Sequence, residues 1–295
     1  MRLEKMSFSM LIPLLINVAI VVSCTNMQET KKVDKKTQAS DPNFHIYLCF
    51  GQSNMEGSAA IEEQDKEVDK RLLMMASMDC NNLGRQMYSW YPAIPPLSQC
   101  GVGLSPADYF GRTMVAKLPD SIRVGLVNVA VGGCDIRLFD KDIYQDYDST
   151  FIENWFLNKI ADYGGNPYKR LVDLAKVAQK EGVIKGIILH QGEANTGDSL
   201  WPNYVKRVYE NLLADLDLGK QNIPLIAGEV VHEEYGGICS SMNPIIKTLP
   251  EVIPNALVVS SKGCPARSDS LHFNSEGVRE LGKRYALKMI AEVNN

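Results

Sequence analysis

An excess of positive charge is what this chain lacks. Lys and Arg number 31 against 35 Asp and Glu, for a formal net charge of −4, and basic residues gather only once, in KKVDKK. With no basic face there is no electrostatic footprint for nucleic acid, and a polyanionic partner is not expected. Histidine is equally scarce at 4 residues, and no CxxC pair or Cys/His cluster at ligand spacing occurs. His190 with Glu193, and His232 with Glu233, each want a third partner. No metal and no cofactor is therefore expected. Long apolar runs are missing too. The longest, MLIPLLINVAIVV, falls short of the roughly 20 residues of a membrane-spanning helix. Internal repeats are absent, which removes the solenoid architectures.

That apolar run follows Arg2 and Lys5 and ends at Ser23-Cys24, the layout of a signal peptide over residues 1–23. Its end resembles a bacterial lipoprotein processing site, which implies an exported protein whose only membrane attachment is a lipid on Cys24. Simple cleavage nearby is the alternative. Residues 24–43 are polar and without apolar periodicity, as in a flexible tether. The rest, residues 44–295, is long enough for one well-buried domain, with 45% hydrophobic and 22% charged residues overall. Cysteines other than Cys24 stand at 49, 80, 100, 134, 239 and 264, in an export context where disulfides persist, and spacing does not reveal their pairing. Cys49 and Cys134, inside apolar runs, read as small buried hydrophobes.

Continuous apolar runs at 45–50, 124–131, 183–190, 223–230 and 256–261 read as strands covered on both faces. Between and after them lie the amphipathic stretches YKRLVDLAKVAQKEG, NYVKRVYENLLADLD and SEGVRELGKRYALKMIAEV, each with helical periodicity. This alternation predicts a three-layer α/β sandwich with a mostly parallel, five-stranded sheet. Two stretches, 58–105 and 134–165, read as long irregular loops, which in such domains form functional surfaces.

Ligand sites of parallel sheets lie beyond the carboxyl ends of the strands, so the strand exits belong together. They read Gly51-Gln52-Ser53-Asn54, then Gly132-Gly133, then His190-Gln191-Gly192-Glu193, with Asp269-Ser270-Leu271-His272-Phe273 before the last helix. Ser53 alone is an ordinary helix cap. A carboxylate and an imidazole three residues apart change that reading. Asp269 can fix the tautomer of His272, whose other nitrogen can take the Ser53 proton and make a weak nucleophile effective. Glu193 is the rival or supporting acid; Asp269 is preferred because it shares a turn with His272. The negative oxygen of a tetrahedral intermediate needs donors, available from the Ser53 N–H at a helix start, the Gly133 N–H and the Gln191 amide.

In this order GQSNMEG, AVGG, HQGE and DSLHF resemble the SGNH hydrolase superfamily. The nearest branch holds sialate O-acetylesterase-like proteins and the acetylxylan esterases of carbohydrate esterase family six. The resemblance implies a flavodoxin-like fold with Ser53 as nucleophile, His272 as base and Asp269 as its acid. It implies an oxyanion hole from Ser53, Gly133 and Gln191, where the wider superfamily has Asn in place of Gln191. The substrate would be an acetylated oligo- or polysaccharide, such as acetylxylan, deacetylated through an acetyl-enzyme. O-acetylated sialic acid is the alternative substrate, and a silent carbohydrate-binding protein the alternative class. Trp90 and Tyr91 in SWYPAIPP are the candidate sugar-stacking pair, while Trp155 and Trp201 either stack likewise or pack beneath the loops.

Overall fold

The computed structural model describes residues 39–145 and 154–293. The expected signal peptide, the lipidated Cys24 and the tether as far as residue 38 lie outside the described residues. Residues 39–43 are described, and there Asp41 pairs with Arg123 at 3.1 Å and donates its N–H to the Glu181 carbonyl at 2.9 Å, so the end of the expected tether is bound to the domain. Seven strands, in spatial order β3-β2-β4-β1-β5-β6-β7, form one sheet. They are β1 (Phe44–Gly51), β2 (Leu72–Met75), β3 (Trp90–Pro92), β4 (Arg123–Ala130), β5 (Val183–His190), β6 (Leu225–Gly228) and β7 (Ala256–Val259). All pairings are parallel except β2 with β3.

The five apolar runs thus match β1, β4, β5, β6 and β7, and the sheet has two strands more than expected. Both additional strands lie within the supposed loop 58–105. Leu72–Met75 is a four-residue run of Leu and Met, without the β-branched side chains that mark strands. Trp90–Pro92 is shorter still and ends in proline, which only an edge strand tolerates. The same loop carries a disulfide between Cys80 and Cys100. Cys49 and Cys134 are buried thiols, as their apolar context requires.

Helices cover both faces: α1 (Ser53–Glu56), α2 (Pro106–Lys117), α3 (Asn154–Asp162), α4 (Pro167–Ala178), α5 (Trp201–Asp215), α6 (Asn243–Lys247), α7 (Leu249–Val252) and α8 (Ser275–Val293). Asn166 caps α4 by accepting from the Lys169 N–H at 2.9 Å, with Pro167 in the first turn, where its missing N–H costs nothing. α3 lies within the second supposed loop, so 134–165 is not wholly irregular either. Side chains alternate across the strands. Ile46, Leu48 and Phe50 of β1 pack with Leu171 and Leu174 of α4 and Val205 and Leu212 of α5. Tyr47 and Cys49 face the opposite layer, with Phe110 and Met114 of α2 and Leu281, Tyr285 and Met289 of α8. The result is a three-layer α/β sandwich. β1 pairs with β4 on one side and β5 on the other, and the chain builds outward in both directions from it. The carboxyl end of β1 is therefore the topological switch point, where such sheets open a crevice.

Candidate active site

At that switch point the chain must turn sharply while passing close to β5. Gly51 adopts φ +149°, and a Cβ there would stand 2.0 Å from the His190 carbonyl oxygen. No other residue fits. Gln52 then donates its backbone N–H to that same carbonyl at 3.0 Å, and Ser53 opens α1. As the first helical residue, Ser53 has an N–H with no acceptor inside the helix.

Ser53 Oγ lies 2.8 Å from His272 Nε2, and His272 Nδ1 lies 3.0 Å from Asp269 Oδ2. The turn that makes this line is local. Asp269 Oδ1 accepts the backbone N–H groups of Leu271 at 3.0 Å and His272 at 2.9 Å, while Ser270 takes a left-handed φ of +55°. Partial burial pushes the Asp269 carboxyl up, but the His272 backbone N–H, the imidazole and the Leu271 N–H outweigh it and hold the group at about 2. A carboxylate on Nδ1 fixes the ring proton there and leaves the Nε2 lone pair for the serine hydroxyl. Such a hydroxyl can lose its proton to the ring as it attacks a carbonyl carbon.

Asn54 fastens this turn to α1. Its Nδ2 donates to Glu193 Oε1 at 2.6 Å and to the Leu271 carbonyl at 3.3 Å, and its Oδ1 accepts the Phe273 N–H at 3.2 Å. Glu193 is accordingly spoken for. Its carboxylate is buried on Asn54 and stands 3.9 Å from His190 Nε2, whereas Asp269 occupies His272 Nδ1. Burial raises the Glu193 pKa. Buried His190 packs its Nδ1 against the Tyr285 hydroxyl at 3.1 Å, and His232 accepts the Glu234 N–H, so neither histidine belongs to the line.

Gly133 follows β4 with φ +80°, and its N–H has no acceptor among the described residues. Gln191 differs from expectation. Its Nε2 donates to Asn195 Oδ1 at 2.7 Å and to Gln52 Oε1 and the Cys134 carbonyl at 3.1 Å each. Its Oε1 accepts from Trp201 Nε1. Two amide protons facing three acceptors leave none to offer an oxyanion, and the side chain is only 1% exposed. Gln191 instead ties the β5 exit to the exits of β1 and β4. Gln52 shares that work, its Oε1 also accepting the Gly192 and Ala194 N–H groups at 3.3 and 3.2 Å. Asn195 and Trp201 were not foreseen in this network. Asn195 follows HQGE by two residues, a local signal that could have found it.

Trp90 and Tyr91 are a second correction. The Trp90 ring packs edge-on against Phe44, centroids 4.9 Å apart, and its Nε1 donates to Glu181 at 3.2 Å. Phe44 opens β1 and Glu181 precedes β5, so this indole lies toward the end of the sheet opposite Ser53. The Tyr91 hydroxyl accepts the Gln86 N–H at 2.8 Å on the outermost strand. Both fill the far edge, away from the site. Trp201 is fully buried, whereas Trp155 is half exposed and its Cη2 comes within 3.1 Å of where a Gly133 Cβ would stand.

The three-layer sandwich and this exit geometry are those of a hydrolase of the SGNH type. Residues 43–291 match the family described as carbohydrate esterase, sialic acid-specific acetylesterase. The chain belongs to that family and is a carboxylic ester hydrolase, a carbohydrate acetylesterase. It is 27% identical over 263 residues to a probable carbohydrate esterase of Arabidopsis thaliana, covering 83% of this chain and 90% of the relative. The crystal structure of that Arabidopsis protein superimposes with a TM-score of 0.65 at 23% identity, over 86% of this chain and all of the other. NanS gives a TM-score of 0.62 at 15% identity over 86% of this chain and 99% of its own, a likeness of fold.

Proposed function

We propose that Ser53 is the nucleophile of a glycan O-acetylesterase working through an acetyl-enzyme. The observation that carries this reading is the continuous line Ser53 Oγ, His272, Asp269, with spacings of 2.8 and 3.0 Å, at the carboxyl end of β1. His272 Nε2 takes the Ser53 proton as Oγ attacks the acetyl carbonyl carbon. The negative oxygen so formed is held by the Ser53 and Gly133 N–H groups. The tetrahedral intermediate collapses, the C–O bond to the sugar breaks, and imidazolium returns the proton to the departing sugar hydroxyl. Water then attacks the acetyl carbon as Nε2 takes one of its protons. When this second tetrahedral intermediate collapses the bond to Ser53 Oγ breaks, Nε2 returns that proton to Oγ, and acetic acid leaves as acetate and a proton. Asp269 stays ionised and holds the imidazolium throughout, in keeping with a pKa of about 2.

The acetylated glycan is acetylxylan or O-acetylated sialic acid, and acetate release on both separates them. Ser53→Ala should abolish release from whichever is turned over while the circular dichroism spectrum stays unchanged. Residual turnover above about one-thousandth of the parent rate would remove Ser53 from the nucleophile role.

A further inference from the structure

The stretch NWFLNKIAD of α3 carries two residues, Trp155 and Lys159, four apart and therefore on one side of the helix. Lys159 pairs with Glu56 of α1, whose other oxygen accepts the Gly132 N–H at 2.9 Å. The Lys159 carbonyl in turn accepts from Gln99 Nε2 at 3.4 Å. These contacts seat α3 on the Gly132-Gly133 turn. Phe156 fills the space beneath it at 5% exposure, while Trp155 remains 50% exposed, its six-membered ring edge 3.1 Å from the Cβ position of Gly133. The Trp155 ring meets the buried Phe156 ring edge-on, centroids 5.7 Å apart, so the indole is held in place while half of its surface stays exposed. A half-exposed indole whose ring edge lies beside Gly133, next to the Lys159–Glu56 ion pair, is a surface for a neutral ring with an apolar face.

The opposite end of the line carries similar surface. Ile238, 66% exposed, donates its N–H to the Ser270 carbonyl at 3.1 Å, and Tyr235 of the same turn is 38% exposed. Apolar surface thus flanks both the Gly133 end and the Asp269 end of a polar site. A sugar ring matches that arrangement, with C–H faces that pack on aromatic surface and hydroxyls at its edge.

We infer that the Trp155 indole is the stacking platform for the sugar ring that carries the scissile acetyl group. The inference rests on the reading of Ser53 as esterase nucleophile. Stacking beside Gly133 orients the acetyl carbonyl oxygen toward the Gly133 and Ser53 N–H groups, so the ring is positioned by its face and the ester by its oxygen. Trp155 binds the sugar and takes no part in proton transfer, so its removal should act on KM for ring substrates alone.

The test uses two esters, an acetylated xylo-oligosaccharide or O-acetylated sialic acid, whichever is turned over, and ethyl acetate, which has no ring. Trp155→Ala should raise KM for the sugar ester about tenfold or more and leave kcat/KM for ethyl acetate within twofold, and Trp155→Phe should recover part of the loss. Equal losses on both esters would overturn the inference, since the indole would then be shaping the Gly133 turn. An unchanged KM for the sugar ester would overturn it as well. Ser53→Ala is assayed alongside. If it retains turnover, the nucleophile reading fails; if Ser53 is required and Trp155→Ala matches the parent on sugar, only the stacking inference fails. In a Ser53→Ala background, titration with the sugar ester should perturb tryptophan fluorescence, and the further Trp155→Phe change should remove that signal.

Discussion

Replacing Asp269 with Asn strikes the line where charge and proton position meet. The two backbone N–H groups of Leu271 and His272, at 3.0 and 2.9 Å, decide how the new amide lies. They require its oxygen, so the NH₂ arm takes the place now held by Oδ2, 3.0 Å from His272 Nδ1. The opposite flip would set an NH₂ group against two donors. An NH₂ arm needs a lone pair on Nδ1, which moves the ring proton to Nε2, where it faces Ser53 Oγ at 2.8 Å. The ring then donates to the serine and has no lone pair to receive its proton. For a serine-histidine-aspartate unit this exchange is worth about four orders of magnitude in kcat, or about 5 kcal/mol of barrier. We expect a fall of about 10³ to 10⁴ in kcat, read as initial-rate acetate release in a pH-stat, with KM within about threefold. The melting temperature should stay close to the parent's, because the side chain is partly exposed and its oxygen keeps both backbone contacts. A loss smaller than tenfold would refute Asp269 as the acid partner. A larger loss in Glu193→Gln than in Asp269→Asn would transfer that role to Glu193.

Two further outcomes concern the buried layer under the site. Gln191→Leu leaves the Trp201 N–H and the Cys134 carbonyl without their partner in a closed environment, which should cost about 2–5 kcal/mol of stability in urea melts and lower kcat through displacement of Gln52; a cost under about 1 kcal/mol would contradict the network. Burial pushes the His190 pKa down to about 3, whereas the unfolded chain titrates this residue near 6.5. Below about pH 6.5 the unfolded state therefore binds a proton the folded state refuses, and this residue lowers stability as pH falls toward 3, by up to about 1.4 kcal/mol per pH unit. Urea unfolding of His190→Gln between pH 8 and 4 should show a shallower decline than the parent, and parallel curves would rule the effect out.

What local chemistry decides was legible without the fold. The strands β1, β4 and β5 announce themselves as apolar runs because they are buried on both faces, and their exits stand beside them in the chain. Asp269 and His272 meet because a three-residue spacing closes within one turn, so that pairing needs nothing from elsewhere. Gly51 is legible as the sharp turn before Ser53, although the contact that demands glycine there, with the His190 carbonyl of β5, belongs to the tertiary structure. Tertiary structure decided the matters that depend on distant partners. The short strands β2 and β3 form because β4 offers β2 a sheet edge and β2 in turn offers one to β3, not because Leu72–Met75 or Trp90–Pro92 favours extension strongly. The direction of the Gln191 amide is set by Cys134, Gln52, Asn195 and Trp201, four positions contributed by separate strand exits and helix starts. Which indole reaches the crevice is settled likewise. Trp90 is drawn to Phe44 at the far end of the sheet, while the Lys159–Glu56 pair brings Trp155 to Gly133, because a side chain's composition says what it can touch and only packing of remote segments says what is there.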